Sequence, residues 1–131
     1  MQISAQVATP PTSKPTFGKA ITVFTDAKKS LAFNEFGKLP SQQSISEAIK
    51  GAQAGIELLA PYVTSADQRI REAATEASRA ADSTISPLQG LVDDPFYTRS
   101  IFSKSTVEAA QKSFDSARGW LFGADDLATG K

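Results

Sequence analysis

The chain contains no cysteine and no histidine. Without cysteine there is no disulfide, no thiolate zinc site, no thiol nucleophile and no thioether-linked cofactor. Without histidine the general base best matched to neutral pH is missing, and so is the common ligand of zinc, haem and copper. No stretch approaches the roughly 18 consecutive apolar residues that a membrane-spanning helix needs. An excess of one charge sign is also absent: 14 basic residues meet 14 acidic ones. A strongly basic nucleic-acid binder is therefore not indicated. The N-terminus has no basic segment followed by an apolar one, so no secretory signal is expected. It has the Ser/Thr-rich, acid-poor composition of an organelle transit peptide but no arginine. A soluble intracellular or organellar location is the expectation.

What is present points to helix. Apolar residues make up 40% of the 131, enough for burial to offset the entropy of one folded domain. Many of them are alanine, which favours helix and buries little area, so a thin core with close helix contacts is expected. The charges are unevenly placed. Residues 1–40 carry five lysines and two acids, a net of +3, and the remainder carries −3.

Residues 1–16 hold Pro10, Pro11 and Pro15 among Ser and Thr. Proline fixes φ, removes a donor and biases its predecessor to extended geometry, so an extended arm is expected. The spacing of Phe17, Ile21, Phe24 and Leu31, with Ala20 and Ala27 beside them, predicts a helix over residues 17–36, ended by Gly37 and Pro40.

Residues 44–84 carry the strongest periodicity. Ser44 and Glu47 have capping-box spacing. Steps of four and three then link Ile45, Ile49, Ala52, Ile56, Leu59, Val63, Ala66, Ile70, Ala73, Ala77, Ala80 and Thr84. This reads as a heptad-like seam. Pro61 lies inside it, yet the phase continues, which favours one long central helix kinked at Pro61. A second cap near Thr64 and Asp67 leaves two collinear helices as the alternative. Gly51 and Gly55, four apart, mark close helix contact in preference to a phosphate loop, which would need a Gly-Lys-Ser sequel.

Residues 85–104 read as a connector with proline-led turns at Ser86-Pro87 and Asp94-Pro95. It is dense in apolar side chains: Leu88, Leu91, Val92, Phe96, Tyr97, Ile101 and Phe102. Ser105 and Glu108 suggest a cap for a last helix over residues 105–122, with Val107, Ala110, Phe114, Ala117 and Leu121 inward. The expected organisation is therefore an arm (1–16), one helical domain (17–123) and a polar tail (124–131). The fold class is all-α, a three- or four-helix bundle around the long helix.

No catalytic, cofactor-binding or metal-ligating set emerges. Asp93-Asp94 and Asp125-Asp126 lack the oxygen-ligand spacing of a calcium loop, and Ser103-Lys104-Ser105 lacks the spacing of a serine–lysine nucleophile pair. The expectation is a non-enzymatic interaction protein, a small accessory, adaptor or scaffold subunit of a larger protein assembly. Its partner-binding residues are expected to be Pro10, Pro11, Pro15, Phe17, Lys19, Lys28 and Lys29, against an acidic protein surface. The alternative is a peripheral membrane- or lipid-surface protein using the basic, aromatic residues 17–36 as an amphipathic helix. A third reading is a ligand pocket or enzyme site among residues 88–102.

Overall fold

The computed structural model describes residues 17–128, with side chains as far as Ala124. The arm with Pro10, Pro11 and Pro15 lies outside the described residues. Within them the secondary structure is helical and contains no strand. Helix α1 spans Phe17–Ser30 and α2 spans Gln42–Leu59. A 3-10 turn, Ala60–Tyr62, leads to α3 (Gln68–Asp93), and α4 spans Ser103–Ala128. Each helix packs on its chain neighbours, and α4 closes the ring against α1. The result is an up-down-up-down four-helix bundle.

The long kinked helix is overturned. Gln42, which opens α2, donates through Nε2 to the carbonyls of Leu91, Val92 and Asp94 at the end of α3. The start of one helix therefore stands beside the end of the other, and the two are antiparallel. Two features separate them. Pro61 sits in the first turn of the 3-10 segment, where its missing N–H costs nothing. Asp67 then caps α3, accepting from the N–H groups of Arg69 and Ile70. The unbroken phase has a different cause from continuity, because each half of the seam faces the same core from its own helix. Ile45, Ile49, Ala52 and Leu59 are buried from α2, and Ala73, Ala77 and Thr84 from α3, while Val63 and Ala66 fall in the link and are not.

Helix ends also differ from expectation. The cap of α2 is Ser41, whose Oγ accepts from Ser44 N at 3.0 Å. Ser44 is thus inside the helix. Helix α1 stops at Ser30, six residues before the expected end. Helix α3 runs to Asp93 through Pro87, because Thr84, Leu88 and Leu91 continue its buried stripe. Helix α4 opens at Ser103, and Ser105 turns its hydroxyl onto the Phe102 carbonyl. At its far end α4 passes Gly123, since the stripe of Val107, Ala110, Phe114, Ala117 and Leu121 extends to Ala124.

The core is thin where glycine and alanine face each other. A Cβ added at Gly51 would come within 2.8 Å of the Ala27 Cβ, and one added at Gly55 would overlap the Phe24 ring. The glycine pair thus lets α1 lie directly on α2, as its spacing predicts. Phe24, fully buried, fills the centre with Phe114 at a ring separation of 6.0 Å. Phe17 meets Tyr62 at 4.9 Å at one end.

Candidate functional site

The alternation of helix directions places the α1–α2 loop (31–41) and the α3–α4 loop (94–102) at the same end of the bundle. Both loops are internally bonded. Asn34 organises the first: its Oδ1 accepts from the N–H groups of Phe36 and Lys38, and its carbonyl accepts from Gly37 N. Gly37 adopts φ 75°, the left-handed region that a side chain resists. In the second loop Asp94 Oδ1 accepts from Phe96 N, and Ser100 Oγ accepts from Phe102 N.

The two loops are then tied together. Tyr97 is buried, and its hydroxyl donates to the Pro40 carbonyl at 2.6 Å. Ser103, also buried, donates to the Tyr97 carbonyl at 2.7 Å. Burial pushes the Tyr97 pKa above its usual value, since the phenolate would be poorly solvated there.

This bonded frame holds large apolar side chains in water. Phe36 is 79% exposed, Phe96 61%, Ile101 83% and Phe102 70%. Scattered exposed hydrophobes are ordinary, but four of the six exposed large hydrophobic side chains among the described residues fall on the two loops at this end of the bundle, and apolar surface concentrated in this way is a mark of an interaction site. Lys29, Lys38, Arg99 and Lys104 lie in or beside these loops, and so do Glu35, Asp93 and Asp94, so the rim has mixed charge. Between the loops is a recess of about 490 Å³ walled by Gly37, Lys38, Leu39 and Thr98. The connector aromatics do not wall it.

The residues expected to bind a partner are not brought together. Phe17 is fully buried against its own bundle. Lys28 Nζ contacts both oxygens of Asp115 at 2.9 Å, and Arg118 approaches the same carboxylate at 2.9 Å. Lys19 and Lys29 are exposed, but they sit at opposite ends of α1, about 15 Å apart along the axis. The apolar face of α1 is itself core, with Phe17, Ala20, Phe24 and Ala27 buried.

Among the described residues no three His, Cys, Asp or Glu side chains converge to hold a metal ion, and no helix is long and apolar enough to cross a membrane. No protein-family model, no curated protein and no solved structure matches this chain.

Proposed function

We propose that the chain is a non-enzymatic docking protein, an accessory subunit of a larger protein assembly, that engages its partner end-on through Phe36, Phe96, Ile101 and Phe102. One observation carries the reading: these side chains are held out in water on well-bonded loops. Covering a phenylalanine or isoleucine is worth about 1.5–3 kcal/mol, a cost left standing in the isolated chain. A partner offering apolar pockets recovers it, and a pre-bonded loop loses little entropy on binding. The mixed rim calls for a partner with both charge signs at its margin.

The test is a Phe36→Ser, Phe102→Ser double variant in the cells that make the protein. Exposed sites change folding stability by only about 0.5 kcal/mol, so the variant stays folded. Loss of co-fractionation with the native complex is expected. A folded variant that co-fractionates as well as the wild type contradicts the proposal.

The second reading, docking on a lipid surface, is favoured by a specific feature: Lys38, Arg99 and Lys104 lie beside the protruding apolar side chains. It moves the contact from the α1 helix to the loops. Flotation of the purified chain on anionic vesicles, lost in the same double variant, is its expected signature.

A further inference from the structure

The recess between the two loops, walled by Gly37, Lys38, Leu39 and Thr98, differs in charge from other recesses on the bundle. The α3–α4 groove sets Arg69 with Glu72 in one wall. The α1–α2 recess sets Lys50 with Asp26 and Glu47. The α1–α4 recess sets Lys28 and Lys112 with Glu108 and Asp115. Each of those cations has an acid in the same wall. Among the described residues Lys38 is the one charged residue of its wall. Glu35, the acid of the same loop, stands outside that wall, and among the described residues neither it nor Lys38 makes an ion pair.

The same wall holds further donors without acceptors. Among the described residues the N–H groups of Leu39 and Thr98 and the Thr98 hydroxyl make no hydrogen bond. Nearby hydroxyls are engaged: Ser100 Oγ accepts from Phe102 N, and Ser103 Oγ donates to the Tyr97 carbonyl. The main chain of Lys38 is fixed from both sides. Its N–H donates to Asn34 Oδ1 at 2.9 Å, and its carbonyl accepts from Asn34 N at 3.1 Å. The loop frame therefore sets this lysine at the wall without using its side chain.

In water these donors cost nothing. A partner seated on the apolar side chains of both loops removes that water. The ammonium and the N–H groups between the loops are then stranded unless the partner brings acceptors. We infer that the recess receives a carboxylate of the docked partner, an aspartate or glutamate side chain flanked by apolar residues. The inference rests on the end-on docking proposed above. A carboxylate brings one charge and two acceptor oxygens, which matches one ammonium with N–H and O–H donors beside it. A phosphate dianion calls for a cluster of cations, and this wall has one.

The test is a titration of the full, nitrogen-labelled chain with phenylpropionate, read by NMR at constant ionic strength. Saturable shifts of the Leu39 and Thr98 amide signals are expected, with half-saturation on the order of 1 mM, the weak end of specific association. The neutral phenylpropanol should bind at least about threefold more weakly, and Lys38→Gln should weaken binding of the acid by a similar factor. The Lys38 side chain makes no bond among the described residues, so the variant keeps the loop frame. Lys104→Gln, at the same end but outside the wall, should bind as the wild type does. Amide signals that do not shift overturn the inference. So do an alcohol that binds as well as the acid, a Lys38→Gln chain that matches the wild type, or an equal loss in Lys104→Gln. Methyl phosphate that binds more tightly than the acid also overturns it, by making a phosphate the occupant. The titration needs no partner, so its failure is distinct from co-fractionation of the Phe36→Ser, Phe102→Ser variant.

Discussion

The Tyr97 hydroxyl donates to the Pro40 carbonyl at 2.6 Å across 57 residues of sequence, and this bond joins the two loops that carry the exposed apolar end. Tyr97→Phe removes the donor and leaves a buried carbonyl without it. A stability loss of about 1–2 kcal/mol is expected in denaturant unfolding. The bond also has a pH signature. Burial raises the Tyr97 pKa in the folded state, so the unfolded chain releases the proton first as pH rises. The contribution of Tyr97 is complete below about pH 10, the unfolded value, and is lost as pH climbs towards the folded value. The phenylalanine variant should show a shallower decline over that alkaline window.

Gly55 and Gly119 should respond to alanine with opposite signs. At Gly55 the new methyl group meets the ring of Phe24, which is fully buried in the core. Gly55→Ala should cost about 1–3 kcal/mol. At Gly119 the methyl group projects into open space, and Gly119→Ala should stabilise the fold by about 0.5–1 kcal/mol. Thermal unfolding of both variants checks the contrast.

Of the two helix-associated prolines, only one disrupts a helix. Pro87 lies inside α3 and denies the Ser83 carbonyl its N–H partner. Pro87→Ala should stabilise the fold by about 1–2 kcal/mol. Pro61 opens a turn, so Pro61→Ala should change stability by less than about 1 kcal/mol and leave α2 and α3 side by side. Spin labels on cysteines introduced at Gln43 and Gln89 read this directly, because the chain has no other thiol. A hairpin holds the labels within roughly 25 Å, given helices about 8–10 Å apart. A continuous helix would separate them by about 69 Å.

Much of the bundle is legible in the sequence, because a buried stripe on a helix imposes steps of three and four. The stripes of α1 and α4 appear as Phe17-Ala20-Phe24-Ala27-Leu31 and as Val107 through Leu121. The turn at Tyr62–Asp67 is hidden for a physical reason: two antiparallel helices that face one core preserve the same periodicity as one helix, and the eight residues between Leu59 and Gln68 happen to keep phase. The apolar end is the least legible part. Its Phe36 continues the α1 pattern in one dimension, and Phe96, Ile101 and Phe102 look like core. The loops that hold these side chains in water are shaped by the hydrogen bonds of Asn34, Asp94 and Ser100 and by the Tyr97–Pro40 tie, and bonds of that kind leave no periodic trace. The dense apolar composition of residues 88–102 is the one signal that marks the region. Of the basic residues of α1, Lys28 has a partner that spacing could not reveal, because Asp115 lies 87 positions away in sequence.

The proposed function rests on a partner protein seated at the apolar end. The most direct measurement is photo-crosslinking in the cells that make the protein, with a benzophenone side chain replacing Phe36 or Phe102, or replacing the exposed helix residues Gln53 or Lys112 as controls. One protein adduct of the same mass is expected at both Phe36 and Phe102, and none at Gln53 or Lys112. No adduct at the loop positions, adducts to lipid alone, or equal yields at the helix positions would contradict it.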